Sequence, residues 1–305
     1  MGKGKVIVFS NKKGGVGKTS DTDMTALVAS QLFHRKVLLI DVDQQANTTA
    51  SMVRTFGEKR FKKSFAKCVE DGSLKGGITP LSPWLDMIAG SGNESELNEI
   101  IYRGSKSKSD QYRVLKPLID EIRDDYDYIF FDVAPSLDTT LYSIFYATDY
   151  IIIVQEVKRF SMDGASVLID ELQKFLNRYK KEVNYEILGI LPAILRRRRK
   201  QQLKNYQETV DQYGASEVFS TIIKSHDRIE GFGEEGIKLD DVEDRKIWAL
   251  FADLFMEIEA RIAYFEKYGD IEGFTYELQY YDSKKNRTLK LGKEINYHDG
   301  IIKQG

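Results

Sequence analysis

Apolar runs of strand length recur along the chain, and the stretches between them carry apolar residues at helical spacing. The first run is Lys5-Val6-Ile7-Val8-Phe9-Ser10, and the glycine-dense stretch from Asn11 to Gly17 after it predicts a loop. From about Thr19 to Phe33, Met24, Leu27, Val28 and Leu32 have the spacing of one helix face. Lys36-Val37-Leu38-Leu39-Ile40 is a second strand-like run. Strand, helix and strand in that order imply a right-handed crossover and parallel pairing. The pattern returns at Tyr128-Ile129-Phe130-Phe131, at Tyr150 to Val154 and at Ile187 to Leu191. None of these runs alternates with polar residues, as expected for strands covered on both faces. Helical stretches are predicted from Ser161 to Tyr179, Leu203 to Tyr213 and Asp244 to Ala263. The fold class that follows is α/β, with a doubly wound, mostly parallel sheet over residues 1–263.

The tail reads differently. Phe274 to Tyr281 and Arg287-Thr288-Leu289-Lys290-Leu291 flank a turn-like stretch from Asp282 to Asn286. Residues 264–305 are therefore expected to form a C-terminal appendage with a β-hairpin.

Composition narrows the function classes. With 305 residues, 42% hydrophobic and 30% charged, the chain can bury one large core or a core with a small appendage. No apolar run approaches the roughly 20 residues that span a bilayer, and Met1-Gly2-Lys3-Gly4-Lys5 leads straight into a strand without a signal-peptide pattern. A cytoplasmic protein without membrane contact is expected. Cys68 is the only cysteine, which excludes an internal disulfide framework and, within one chain, a multi-cysteine zinc or iron–sulfur site. It is expected to fill a small buried space. His34, His226 and His298 are scattered and read as structural or surface residues. The net charge is −2, so attraction to nucleic acid has to come from a local patch.

Chemistry concentrates in Lys13-Gly14-Gly15-Val16-Gly17-Lys18-Thr19. Glycines let a loop fold tightly with its N–H groups turned towards phosphate oxygens, and the following helix adds its positive end. Lys18 is placed to neutralise the β and γ phosphates, the Thr19 hydroxyl to ligate magnesium, and Ser20 to extend the phosphate cradle. ATP and magnesium are the cofactors this loop calls for. The general P-loop has a glycine where this chain has Lys12, and here the loop opens on Lys13 instead. That deviant Walker A spacing resembles the ParA/MinD/nitrogenase-iron-protein group of dimerising ATPases. The resemblance implies a deviant P-loop fold and gives Lys13 the task of reaching the partner's nucleotide across a homodimer.

Two further motifs extend the resemblance over most of residues 5–260. Asp41-Val42-Asp43-Gln44-Gln45-Ala46-Asn47 ends a buried run, where ligands bind in open α/β sheets. The family carries Asp-x-Asp-Pro-Gln-Gly-Asn at this place, which implies that Asp43 orients the attacking water and Asp41 supports it near the metal. The family's proline is Gln44 here and its glycine is Ala46. Asp132, at the end of Tyr128-Ile129-Phe130-Phe131, is similar to the Walker B aspartate that holds the magnesium shell. Where the family has a threonine-rich helix start, this chain has Ser20-Asp21-Thr22-Asp23, and carboxylates so near the phosphates are expected to weaken nucleotide affinity.

Within the group, the single cysteine excludes the iron–sulfur reductases, and the ending after Asn296 is no amphipathic membrane helix. Tyr276, Tyr280, Tyr281 and Tyr297 echo the tyrosine-kinase branch, which lacks the early lysine. The DNA-partition branch fits best and implies a slow, partner-stimulated ATPase. Its ATP dimer would bind nonspecific DNA at the nucleoid and meet a centromere-binding, ParB-like protein. A dimerisation switch outside partition is the alternative of another class. Arg196-Arg197-Arg198-Arg199-Lys200 is compatible with a solvated loop or a protein-partner site, and in an ATPase of this type with a phosphate-binding patch. Arg228, in a late segment similar to the family's, is expected on the DNA-facing surface. Lys224 stands where the family's proline frames the adenine.

Overall fold

A computed structural model describes residues 3–57, 60–92, 96–157, 162–194, 199–282 and 287–288. Eight strands form the main sheet: β1 (Lys5–Ser10), β2 (Val37–Asp41), β3 (Thr79–Ser82), β4 (Leu85–Ile88), β5 (Tyr128–Asp132), β6 (Tyr150–Glu156), β7 (Glu186–Ile194) and β8 (Ile223–Lys224). Their order is β3-β4-β2-β5-β1-β6-β7-β8, and β3 alone runs antiparallel to its neighbour. The expected doubly wound sheet is observed. β3 and β4 were not legible beforehand, because Thr79-Pro80-Leu81-Ser82 is short and carries a proline that suits an edge.

The apolar runs behave as covered strands. Ile7, Phe9, Leu39, Phe130 and Ile152 enter one core, against helix α1 (Lys18–Gln31) and the long helix Val242–Tyr268. Val6, Val8, Leu38, Ile40, Ile129, Phe131, Ile151 and Ile153 enter the opposite core, against helices Thr139–Ala147 and Met162–Tyr179. Successive strand residues point to opposite faces, so a run apolar throughout fills two cores at once. Cys68 is fully buried in the second core, as its composition predicts.

This winding positions the site. β1 sits at the centre, with β5 on one side and β6 on the other, and the chain leaves it through α1 to reach β2 beyond β5. The C-terminal ends of β1, β2, β5 and β6 therefore open on one crevice, at the point where the strand order diverges.

The helix expected to stop at Ala263 continues to Tyr268, capped at its start by Asp241 and Asp244 and closed by left-handed Gly269. Beyond it, β9 (Tyr281–Asp282) pairs antiparallel with β10 (Arg287–Thr288), the expected hairpin in a shorter form. Phe274 to Tyr280 is not strand. Asp253 of the long helix accepts the N–H groups of Gln279, Tyr280 and Tyr281 and the Tyr276 hydroxyl. A side-chain carboxylate thus takes the place of a strand partner for this stretch. No helix among the described residues is long and apolar enough to cross a membrane.

Candidate functional site

The loop from Asn11 to Gly17 joins β1 to α1 at the crevice. Gly15 and Gly17 hold φ values of 71° and 101°, a region costly for any residue with a Cβ. Asn11 fixes the loop at its start. Its amide donates to the Val154 carbonyl of β6, and its Oδ1 accepts the Lys13 N–H at 2.8 Å. Val16 anchors the middle in the core, while Gly14 and Gly15 are exposed. The result is an open turn directly before a helix N-terminus, the usual cradle for an anion.

Two lysines frame this cradle differently. Lys18 is buried, and its Nζ folds back to the Lys13 carbonyl at 3.2 Å. Burial lowers its pKa, while Asp132, Asp43 and Asp21 oppose the shift. Lys13 is half in solvent, and its Nζ lies 2.5 Å from Glu156, a buried carboxylate at the end of β6. Thr19 and Ser20 follow in the first turn of α1, both half-buried.

Four aspartates lie beneath the cradle. Asp21 is buried, and neither of its carboxyl oxygens has a hydrogen-bond partner. Burial pushes its pKa well above the carboxylate range against the pull of Lys18. Asp41 and Asp132 end neighbouring strands in register. The first turn of helix α2 (Asn47–Phe56) clamps both. Thr49 donates its hydroxyl and its N–H to Asp41 Oδ2, at 2.6 and 2.8 Å, and its hydroxyl accepts the Gly90 N–H at 2.9 Å. The Thr48 hydroxyl lies 2.9 Å from Asp132 Oδ2 and 2.6 Å from Asp23 Oδ1. One hydroxyl carries one hydrogen, so the second contact requires a proton on a carboxyl. That agrees with the pKa directions: burial raises Asp23 to about 7, and burial with the nearby Asp41 and Asp23 raises Asp132. The remaining oxygen of Asp41 and of Asp132, Oδ1 in each, is buried without a partner.

Asp43 lies in the turn between β2 and α2, where its Oδ1 accepts the Gln45 N–H at 2.9 Å. The same turn holds Ala46 at φ 51°, ψ 37°, in the left-handed region. The glycine of the resembling motif would enter it freely, whereas alanine does so at a cost.

Hard oxygen groups and orphaned buried carboxyl oxygens, Asp132 Oδ1 among them, are the donor chemistry that suits magnesium. Among the described residues no group of three or more acidic, histidine or cysteine side chains could hold a metal alone. Magnesium at phosphate sites uses one or two carboxylates and completes its shell with waters and phosphate oxygens.

The expected basic patch is only partly in view. Arg196, Arg197 and Arg198 lie outside the described residues, as do the side chains of Arg199 and Lys200, which open the helix Arg199–Tyr213. Arg228 pairs with Asp241 at 2.6 Å and also with Asp244, so its guanidinium braces the start of the long helix. Lys224 lies over the Tyr281 ring at 5.6 Å. Sequence reasoning missed Asn11, Glu156, Thr48 and Thr49. Glu156 carried a usable signal, since it lies two residues after an apolar run and ends β6, as Asp132 ends β5.

The AAA_31 family of AAA domains matches residues 4–185. The sporulation initiation inhibitor protein Soj of Bacillus subtilis is 27% identical over 271 residues, covering 84% of this chain and 99% of that protein. Among solved structures, a plasmid partition protein from Borrelia burgdorferi aligns with a TM-score of 0.60 at 22% identity, covering 84% of this chain and all (100%) of that one. An ATP complex of McdA from Cyanothece aligns with a TM-score of 0.71 at 18% identity, covering 85% of this chain and 98% of that one. At these identities the two structures bear on the fold.

Proposed function

The chain belongs to the AAA_31 family and is a ParA-type partition ATPase, and from that premise we propose that it is an ATP-driven dimerisation switch that segregates DNA. The observation that carries the reading is the crevice itself. It joins a glycine cradle with two lysines, Lys13 and Lys18, to strand-end aspartates Asp41, Asp43 and Asp132.

In this reading Gly14 to Gly17 and the start of α1, from Lys18 to Ser20, receive the phosphates, and Lys18 exchanges its loop carbonyl for phosphate oxygens. Thr19 and Asp132 would hold the metal, whose positive charge would offset the negative charge of the phosphate oxygens. Asp43 orients the attacking water and Asp41 supports it. Lys13 leaves Glu156 to reach the nucleotide of a second copy, so ATP and dimerisation are linked. The ATP dimer binds DNA without sequence preference through residues 196–200. A centromere-binding partner stimulates slow hydrolysis at the nucleoid.

The test measures mass in solution and DNA retention, with and without ATP. Wild type should dimerise and retain DNA only with ATP. Lys13→Ala should bind ATP nearly as well but stay monomeric. Replacing residues 196–200 by Gln should weaken every DNA alike and flatten the salt dependence, which falls with a slope of about −0.9 per phosphate contact. Absence of ATP-dependent DNA binding by wild type would sink the partition reading.

A further inference from the structure

Resting on the nucleotide reading above, we propose that Asp23 is a positioning residue for the metal-holding aspartate, acting through the Thr48 hydroxyl. Asp23 never needs to touch nucleotide or metal in this role. It lies on α1, Asp132 ends β5, and Thr48 lies in the first turn of α2, so a single hydroxyl joins three elements.

Three features of the geometry favour positioning over filling of space. The contacts, at 2.6 and 2.9 Å, are hydrogen bonds between fully buried atoms, where a fixed orientation is enforced by the absence of competing water. Thr48 engages only Oδ2 of Asp132 and leaves Oδ1 without a partner. The carboxyl is therefore oriented with one oxygen still available. The neighbouring Thr49 does the same to Asp41, taking Oδ2 and leaving Oδ1. Two successive threonines on one helical turn thus each aim one strand-end carboxyl, and α2 follows directly on the Asp43 turn. Only the Thr48 clamp has a further carboxyl behind it. Asp23 Oδ1 takes the second contact of the hydroxyl, at 2.6 Å, and so restricts its rotation. Groups that orient metal ligands in this way typically change metal affinity by 10–100-fold when removed.

The experiment follows binding of a fluorescent ATP analogue to the full chain while magnesium is titrated, and separately in chelator. Thr48→Val keeps the shape and removes the hydroxyl. It should move the magnesium midpoint upward by about tenfold or more, with binding in chelator unchanged. Thr48→Ser should restore the wild-type midpoint. Asp23→Asn keeps a partner that can donate to or accept from the hydroxyl and should stay near wild type, whereas Asp23→Val should shift like Thr48→Val. The double variant, Asp23→Val with Thr48→Val, should be no worse than Thr48→Val alone. An unmoved midpoint in Thr48→Val, or an equal loss of binding in chelator, overturns the proposal. The Thr48 variants decide it if Asp23→Val does not fold. A wild type that binds no nucleotide overturns the nucleotide reading itself, whereas binding with unmoved variants overturns only the role of Asp23.

Discussion

The long helix Val242–Tyr268 and the crevice at the strand ends both bury charge, and they treat it in opposite ways. On the helix, the Arg261 guanidinium donates to Glu257 from Nε and Nη2, to the Leu188 and Ser216 carbonyls from Nη1, and to the Val218 carbonyl from Nη2. Every N–H of that group is used. Glu257 in turn accepts the N–H groups of Ser220 and Thr221, and the guanidinium stacks 4.1 Å from the Phe219 ring. In the crevice, Asp21 has no partner on either oxygen, and Asp41 and Asp132 each keep one oxygen open. A buried polar group left unmade costs about 1–3 kcal/mol and more when charged. A fold that satisfies charge completely at one place and leaves it open at another reserves the second place for a ligand. Polar satisfaction thus separates a structural ion pair from a binding site where burial alone does not.

The largest expected effect breaks the satisfied side. Arg261→Met leaves Glu257 as an uncompensated buried charge and should cost about 3–5 kcal/mol, read as a large drop in the thermal midpoint. Nucleotide binding at low temperature should survive, because Arg261 bonds Glu257 and the Leu188, Ser216 and Val218 carbonyls and none of the residues that frame the cradle. Next comes Asp43→Ala, which touches the half-exposed turn. Hydrolysis should fall by about 100-fold or more, while the thermal midpoint and ATP binding stay close to wild type. If Asp41→Ala loses hydrolysis and Asp43→Ala does not, the roles of the two carboxylates are exchanged.

A smaller effect has the opposite sign to the first and is the sharper test of the contrast. Asp21→Leu replaces an unpartnered buried carboxyl by an apolar group of similar size. It should stabilise the nucleotide-free protein by about 1–2 kcal/mol, within the cost of a buried polar group left without a hydrogen bond. A fall in the thermal midpoint would show that Asp21 is satisfied in solution. The smallest effect is in the backbone. Ala46→Gly relieves a left-handed alanine in the turn after Asp43 and should stabilise by up to about 1 kcal/mol, measured by denaturant titration. A loss of stability instead would mean that the turn leaves this conformation in solution.

Much of this was written locally in the chain. Unbroken apolar runs such as Tyr150 to Val154 pointed to strands buried on both faces, since they are of strand length and rich in β-branched residues. The spacing of Gly14, Gly15 and Gly17 before Lys18 dictated the cradle, because loop shape depends on φ values available within a few residues. Asp41, Asp43 and Asp132 were legible because each follows an apolar run. Tertiary structure alone decided the rest. Thr48 and Asp23 are 25 positions apart in sequence, and Asp132 lies 84 beyond Thr48, yet one hydroxyl joins them. Lys13 meets Glu156 across 143 positions, and Asp253 replaces a strand partner for a tail that reads as strand. Local patterns fix an element through forces acting over a few residues. A hydrogen bond between elements depends on how the sheet is wound, and no single stretch of sequence carries that order.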